Sequence, residues 1–418
     1  MIEWIQTTQD LTTLSLRLTS EIPGTHAIAI DTEFVRTQNF YAQPGLLQLG
    51  WHSLDTTHIA LLDLTILSAK ALKVFITQLY QDCQIHQVVI LMHSPSEDLA
   101  LLDQLSVPRS FTALLDTQVA AAFLNLGAQI SLSKLVDTLA PDHPVPTSMA
   151  QSNWTERPLC WRRLYYAASD VSALMAVAPI ILDQLRKKNH LYKVLDDCIC
   201  LYKTWPMAIE GQCYSTKQSL LSKTPGHLRA RFAHLMEWRE KSVKYLDVPR
   251  KWHLTDEALL KLSRLGDLDA PPKAQVFFQL LFNPTTSKYK KSIRLHPQAK
   301  TLFINTLDID ELRQDFYDAW QILPTYSNND LAFRLNKNGK KALGLIRELT
   351  EQTAVHFDLP SSALCRSAWL HIFMEYYSRQ RLAQPTTLPC FLHEWRQPFL
   401  QEASAILDQY WPIFLPPN

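Results

Sequence analysis

The stretch HAIAIDTEFV, His26–Val35, decides the fold. Apolar residues fill every position between the histidine and the first acid, which is typical of a central strand buried on both faces of a sheet. The strand then carries Asp31 and Glu33. Residues two apart share one face of a strand, so we expect both carboxylates to point to the same side. Buried like charges are costly unless cations or protons neutralise them, so a buried pair would indicate a cation site. The alternative interpretation is that the two acids face solvent at the end of the strand.

Alternating strands and helices are expected around this stretch up to about residue 205. GLLQLGWH, HIALLDL and QVVILMHS predict three further strands, and SAKALKVFITQLYQD has the periodicity of a helix. A long helix is expected from about Pro158 to Lys188. After about Trp205 the apolar residues recur three and four apart, so that part of the chain is predicted to be all-helical.

Composition excludes several classes of protein. The chain has 418 residues, of which 47% are hydrophobic and 19% charged, a balance typical of a globular protein with two or three domains. There are only 9 glycines. Gly45 and Gly50 have the spacing of a phosphate-binding loop, but Trp51 follows where that loop needs lysine. We therefore expect no nucleotide cofactor.

No segment of the sequence predicts a membrane protein. The N-terminus has neither a basic leader nor an apolar core of a secretory signal. The longest apolar stretch, Val171–Leu182, is shorter than the ~20 residues that span a bilayer. We expect a cytoplasmic protein that does not bind membranes.

Charge is distributed unevenly along the chain although the net charge is only +1. Residues 1–210 carry 14 basic and 20 acidic side chains, residues 211–300 carry 17 and 7, and residues 301–418 carry 10 and 13. A basic segment between two acidic ones is the electrostatic footprint of a polyanion-binding surface. The alternative is a solvated face, which most charge runs are.

Two further acidic positions accompany the acids of the first strand. Asp98 follows the strand QVVILMHS in the first turn of a helix, where a carboxylate also complements the helix dipole. Tyr166 and Asp170 in YYAASDVSAL are four apart and share one helical face. Seen alone, an acid in the first turn of a helix and a Tyr/Asp pair on a helical face usually have only a structural role. Three acidic positions on one α/β scaffold, however, indicate a hard-cation site with oxygen ligands.

Three segments carry a family resemblance. IDTEFVRTQNFYAQPGLLQLG, HSPSEDLALL and YYAASDVSAL resemble, in this order, the exonuclease motifs of the ribonuclease D family, the tyrosine subtype of the DEDD 3′–5′ exonucleases. LMEWREKSVKYLDVPRKWHLTDEALLKLSRL is similar to the helicase-and-RNase-D C-terminal (HRDC) module, and a weaker similarity runs from about 310 to 415.

The resemblance implies a domain organisation. Residues 1–205 would form a ribonuclease-H-like α/β exonuclease domain with a mixed sheet flanked by helices. Residues 206–226 would be a linker, residues 227–300 a basic HRDC-like helical domain, and residues 301–418 a second, more divergent one.

The resemblance also implies an active site with two divalent cations, Mg²⁺ or Mn²⁺. Asp31, Glu33, Asp98 and Asp170 would be the ligands, and Tyr166 would orient the attacking water. Two cations ~3.5–4 Å apart can activate a water and stabilise the leaving oxygen of a phosphodiester.

Substrate contacts are expected from two sets of residues. Around the motifs these are Phe34, Gln48, His93, Gln151 and Trp154, and in the basic segment Lys288, Lys290, Lys291 and Arg294. An aromatic ring can stack on a base or belong to the core, and a histidine at a strand end can be purely structural. Thr147 and Asn153 stand where the family usually carries lysine and aspartate, a departure that concerns substrate contacts and not metal binding.

The predicted function is metal-dependent 3′–5′ exoribonuclease activity. Such an enzyme would release nucleoside 5′-monophosphates and trim the 3′ ends of tRNA precursors and other structured RNAs, acting as a monomer. The alternatives are a 3′–5′ DNA exonuclease, which would share the metal site, and an inactive RNA-binding scaffold. A scaffold has no need of four acids and a tyrosine.

Overall fold

The computed structural model describes residues 2–53, 56–146, 149–204, 226–264, 296–321, 335–383, 389, 392 and 394–413. The chain folds as two compact units. The first contains Met1–Val35, Ala42–Met207 and Lys341–Tyr410, and the second contains Arg36–Tyr41, Ala208–Lys340 and Trp411–Asn418.

A six-stranded mixed sheet lies at the centre of the first unit. Its strands are β1 (Ile2–Ile5), β2 (Ala27–Val35), β3 (Gln43–Ser53), β4 (Thr56–Asp63), β5 (Val89–Met92) and β6 (Leu114–Asp116). Their order in the sheet is β1-β4-β3-β2-β5-β6. β2, β3 and β4 pair antiparallel, whereas β1, β5 and β6 add in parallel. The mixed sheet is as predicted, and β2 lies in its interior.

Helices cover both faces of this sheet. They are α1 (Thr8–Glu21), α2 (Ala69–Ile85), α3 (Ser96–Gln104), α4 (Thr117–Phe123), α5 (Leu132–Leu139), α6 (Trp161–Lys187) and α7 (Leu191–Ile199). Because side chains alternate along each strand, the apolar residues of the sheet form two layers. One layer packs against α1, α2 and α3, and the other against α4 to α7.

Two glycines allow α6 and its preceding segment to approach β3 closely. A Cβ atom at Gly50 would lie 3.1 Å from the Cβ of Val171. At Gly45 it would lie 2.7 Å from the Cβ of Trp154 and 2.8 Å from the carbonyl oxygen of Glu33. The glycines with phosphate-loop spacing therefore serve close packing next to the acids.

α6 is long and apolar enough to cross a membrane by length and composition alone. Its most apolar window is 56% buried in this fold, which is typical of the core helix of a globular unit. The helix agrees closely with the predicted one.

The second unit is helical in its described part. Its helices are α8 (Gly226–Tyr245), α9 (Asp256–Arg264), α10 (Ala299–Leu307) and α11 (Asp310–Gln321). Trp238 lies at its centre, with the rings of Phe303 and Phe316 at 5.7 and 4.7 Å. The short segment Arg36–Tyr41 also belongs here, because Asn39 donates to Asp247 at 2.7 Å.

The C-terminal part of the first unit is helical too. Its helices are α12 (Lys337–His356), α13 (Ser361–Leu364), α14 (Ser367–Arg381) and α15 (Gln397–Gln409). The first residues of α12 belong to the second unit. A buried ion pair anchors it: the Arg396 guanidinium donates to both oxygens of Asp197 on α7, at 2.6 and 2.7 Å. The predicted domains, including the one over 301–418, stay predictions.

Removing Arg396 should destabilise the first unit strongly. Arg396→Leu leaves the buried Asp197 without its partner, and breaking a buried pair on one side costs about 3–5 kcal/mol. Arg381→Leu removes the exposed pair with Asp408, for which about 0–1 kcal/mol is expected. Urea unfolding followed by circular dichroism measures both. Similar midpoints for the two variants would contradict the anchoring role of Arg396.

Candidate active site

β2 carries the first two acids to the face of the sheet that α6 covers. Ala27 and Ala29 belong to the core layer on that face, so by alternation Asp31 and Glu33 continue it. The strand pairing has an irregularity between Glu33 and Phe34. Such bulges increase the local twist and redirect the side chains that follow.

α6 supplies the third carboxylate of the site. Asp170 is buried, and one oxygen atom from each of Asp31, Glu33 and Asp170 lies within 4.8 Å of the others. The structure thus brings together acids that are 139 residues apart in sequence, from Asp31 to Asp170. Carboxylate oxygens grouped at this distance are the ligands that hard divalent cations prefer.

Asp98 stands next to this group. It lies in the first turn of α3 and accepts a 2.6 Å hydrogen bond from the Thr32 hydroxyl. Its charge contributes to raising the pKa values of Asp31 and Glu33. Thr32 was missed by the sequence analysis. Its only signal in the sequence is a hydroxyl between two acids, on the opposite face of the strand.

Burial and mutual repulsion disfavour ionisation of these acids. Burial, and then the charges of Asp98, Asp170 and Glu33, raise the pKa of Asp31 well above its usual range. Burial, with the charges of Asp170 and Asp98, raises the pKa of Glu33 to about 9. Burial also raises the pKa of Asp170 to about 7 and that of Asp98 to about 6. The four groups therefore need positive charge to ionise together at neutral pH.

Tyr166 lies one helical turn before Asp170, on the same side of α6. It is only 8% exposed. Burial, followed by the charges of Asp170, Glu33 and Asp31, raises the pKa of its hydroxyl above the ordinary value, so the group stays protonated. The ring packs at 5.9 Å from that of Trp154, which is fully buried. Trp154 thus supports the position of Tyr166.

Gln48 lies directly opposite Asp31 in the pairing of β2 with β3. Opposite residues of an antiparallel pair point to the same face. The side chain is fully buried, and among the described residues neither its amide nitrogen nor its amide oxygen has a hydrogen-bond partner. A buried polar group left unpaired costs about 1–3 kcal/mol. An unpaired amide next to Asp31 fits a site that holds hydrated cations.

The other candidate substrate contacts differ in their surroundings. Phe34 is half-buried against the core layer of α1 to α3, and Gln151 is exposed. His93 bonds to the Thr117 hydroxyl at 2.8 Å and to the carbonyl oxygen of Ile130 at 3.1 Å, so both ring nitrogens have partners within the protein. Its role in substrate binding stays a prediction.

For the remaining residues of the sequence analysis, the structure describes the contacts of Asn153 only. Asn153 accepts bonds from the backbone N–H and the hydroxyl of Thr155 at 3.2 and 2.7 Å. Thr147 and the four basic residues Lys288, Lys290, Lys291 and Arg294 lie outside the described residues.

The fold and these acids define a class of protein. The donor atoms of the site are carboxylate oxygens, and their mutual repulsion favours binding of divalent cations. Asp31, Glu33 and Asp170 could be the ligands, with Asp98 beside them. The sequence profile of a 3′–5′ exonuclease family matches residues 2–186, the segment that carries all four acids. The six-stranded mixed sheet with its flanking helices fits the ribonuclease-H-like domain of such enzymes.

Known proteins narrow this class further. The chain is 31% identical over 243 residues to ribonuclease D of Haemophilus influenzae, covering 57% of this chain and 49% of that protein. It is 28% identical over 394 residues to ribonuclease D of Shewanella sp., covering 91% of this chain and 88% of that protein. The crystal structure of Escherichia coli RNase D matches with a TM-score of 0.72 at 21% identity, over 99% of this chain and 100% of that one. The chain resembles ribonuclease D over most of its length.

The metal-free protein should lose stability as the pH rises from about 4 to about 9. The pKa values of Asp98 (about 6), Asp170 (about 7) and Glu33 (about 9) exceed those of unfolded chains, ~3.9–4.3. In this window the folded state binds more protons than the unfolded state, so the free energy of unfolding falls as the pH rises. Thermal unfolding in EDTA, at several pH values, measures this.

Mg²⁺ should reverse that trend. Because cations bind the ionised carboxylates of the folded state, the rise in Tm on adding Mg²⁺ should be larger at pH 8 than at pH 5. Asp170→Asn should reduce this difference, whereas Asp183→Asn, an exposed position on the same helix, should leave it unchanged. A Tm that is independent of both pH and Mg²⁺ would contradict a cation site at these acids.

Proposed function

We propose that this chain is a metal-dependent 3′–5′ exoribonuclease that releases nucleoside 5′-monophosphates from RNA. The observation that carries the proposal is the convergence of Asp31, Glu33 and Asp170 within 4.8 Å, in a chain that resembles ribonuclease D over most of its length. The relatives in Haemophilus and Shewanella are named ribonuclease D, and this name supports RNA as the substrate class. We assign tRNA precursors and other structured RNAs with a 3′ tail as the substrates.

Two divalent cations, Mg²⁺ or Mn²⁺, would be held by Asp31, Glu33, Asp98 and Asp170. When bound, they would make a water nucleophilic and stabilise the charge on the leaving 3′-oxygen. The protein fixes the ligands beforehand: β2 and α6 are packed core elements, and Thr32 holds Asp98. Such preorganisation removes the need for reorganisation during the reaction.

Tyr166 would orient the attacking water. Its hydroxyl stays protonated because burial and the neighbouring acids raise its pKa, so it can both donate and accept a hydrogen bond without adding charge. The contact with Trp154 keeps the ring in place. We assign Trp154, Gln48 and His93 to the support of the substrate site from within the protein.

Phe34 and Gln151 are proposed as direct substrate contacts, because they retain exposed surface. Phe34 follows the irregularity next to Glu33, where a ring can stack on the terminal base. Gln151 can hydrogen-bond to a base or a sugar.

The helical part of the second unit is proposed to be an HRDC-like module that binds the body of the RNA. The charge of +10 over residues 211–300 supports this, since it is opposite in sign to a phosphate backbone. We propose a second, divergent HRDC-like module in the C-terminal helices. The protein would act as a monomer in the cytoplasm.

Neutralising the basic cluster should weaken binding of structured RNA. In the variant with Lys288, Lys290, Lys291 and Arg294 all changed to Gln, the slope of log affinity against log salt should become shallower by about one unit for each phosphate that is no longer bound. Hydrolysis of a short single-stranded oligonucleotide should change little, because that substrate needs only the metal site. Equal affinities of wild type and variant across a salt titration would show that the cluster is a solvated face.

The alternatives are separated by one comparison of substrates. Wild-type protein with Mg²⁺ is given a 3′-tailed structured RNA and its DNA counterpart at equal concentration. Faster degradation of the RNA is expected, faster degradation of the DNA would favour a DNA exonuclease, and binding without degradation of either would favour a scaffold. Four mutually repelling acids, three buried and Asp31 half-buried, argue against a scaffold, because without cations their ionisation destabilises the fold.

A further inference from the structure

Two large aromatic side chains are exposed where α6 begins. Trp161 is 69% exposed and Tyr165 is 55% exposed. Among the tryptophans whose side-chain exposure the structure describes, Trp161 is the only exposed one. Residues four apart on a helix are neighbours, with Cβ atoms about 5–6 Å apart. The two rings therefore form one aromatic surface in contact with solvent.

Positive charge accompanies this surface. The guanidinium of Arg162 lies 5.7 Å from the centre of the Trp161 ring. Arg163 follows and pairs with Glu156 at 2.9 Å, while Arg162 has no ion-pair partner among the residues that the structure describes. Helix dipoles favour acids in the first turn, but α6 has none there and no side-chain cap. Basic residues at this end are unfavourable for the helix alone and suit an anionic ligand.

The aromatic surface lies beside the proposed catalytic centre. Tyr165 directly precedes Tyr166, which faces the carboxylates. Tyr166 lies five positions after Trp161, about 7.5 Å along the helix axis at 1.5 Å per residue. Consecutive helical residues are about 100° apart around the axis, so Tyr165 flanks the site without entering it. An RNA strand whose end reaches the acids can thus pass over this surface.

We infer that Trp161, Arg162 and Tyr165 form a stacking platform for bases of the single-stranded RNA tail upstream of the nucleotide being removed. The inference rests on the proposed function and extends it to a binding subsite. Exposed rings with an adjacent arginine are how proteins hold single strands without reading sequence, since every base has a face that can stack. The positive charge of Arg162 complements the phosphates of an RNA strand, whereas an apolar protein segment would offer it no opposite charge.

Binding without turnover tests the platform. A fluorescein-labelled single-stranded RNA of about 12 nucleotides is titrated with the full-length protein in EDTA, where hydrolysis does not interfere. Since stacking contributes about 1–3 kcal/mol per base, Trp161→Leu/Tyr165→Leu should weaken binding at least about tenfold. Trp161→Phe/Tyr165→Phe keeps the rings and should retain most of the affinity. Tyr192→Leu, at an aromatic position on α7 that is 63% exposed, should bind like wild type.

A second probe separates stacking from charge. The same RNA with abasic positions in its tail should bind wild type as weakly as the intact RNA binds the double Leu variant. The platform is refuted if the double Leu variant binds intact RNA as tightly as wild type, or if the abasic RNA binds wild type as tightly as the intact RNA.

The platform and the proposed function can fail separately. Trp161→Leu and Tyr165→Leu change exposed residues, so the double Leu variant should have the same Tm in EDTA as wild type. This measurement checks that the variant is folded. If wild type with Mg²⁺ does not degrade RNA, the exoribonuclease proposal fails whatever the binding result. If it does degrade RNA and the double Leu variant binds normally, only the platform fails.

Discussion

Changing Asp31 to asparagine should lower kcat by at least about a thousandfold, because bound cations contribute several kcal/mol to transition-state stabilisation. The amide has nearly the same volume as the carboxylate, so the packing of β2 should persist. The substitution removes one charged oxygen of the group that Asp31 forms with Glu33 and Asp170. The rate of mononucleotide release at saturating Mg²⁺ measures the effect.

The control for this prediction lies on α6. Asp183 is exposed and pairs with Lys187, so Asp183→Asn should keep full activity. Asp98→Asn is expected to show a loss of the same order as Asp31→Asn, with Thr32 left in place. A variant of Asp31 that retains more than a tenth of the wild-type kcat, with an unchanged circular dichroism spectrum, would remove Asp31 from the ligand set.

Tyr166→Phe should lower kcat by about a hundredfold while leaving RNA affinity nearly unchanged. The ring stays packed against Trp154, so the substitution removes only the hydroxyl that we propose orients the water. A positioned group of this kind contributes about 10²–10⁴-fold. A lower kcat with unchanged binding is the pattern of an interaction made in the transition state. Single-turnover rates and binding in EDTA give the two quantities separately.

The neighbouring tyrosine offers a matched control. Tyr165→Phe removes a hydroxyl from an exposed ring on the same helical turn and should leave kcat unchanged. Equal kcat values for Tyr166→Phe and wild type would make Tyr166 a packing residue. Equal decreases at both positions would point to a disturbed helix instead of a missing catalytic hydroxyl.

Much of the first unit could be predicted from local sequence. The apolar run before Asp31 indicated an interior strand, and β2 has neighbours on both sides. Tyr166 and Asp170 were placed on one helical face because a helix repeats every 3.6 residues. Such features depend only on residues close in sequence. The same local features placed the acids on the predicted strand and helices. A cation site needs such oxygen ligands on rigid elements.

Contacts that depend on register or distance could not be predicted. The unpaired amide of Gln48 lies next to Asp31 only because β2 and β3 pair in one particular register. The bond from Thr32 to Asp98 joins residues 66 apart. Arg396 and Asp197 are 199 apart, and their buried pair places the last helices with the first unit. Local periodicity carries no information about such pairings.

One measurement tests the central claim most directly. An RNA with a single-stranded 3′ tail is labelled at its 5′ end in one sample and at its 3′ end in the other, and each is incubated with wild-type protein and Mg²⁺. The 5′-labelled RNA should shorten one nucleotide at a time, the 3′-labelled RNA should release a labelled mononucleotide first, and excess EDTA should stop both reactions. Full activity in excess EDTA, internal fragments, or shortening from the 5′ end would contradict a 3′–5′ exonuclease built on these four acids.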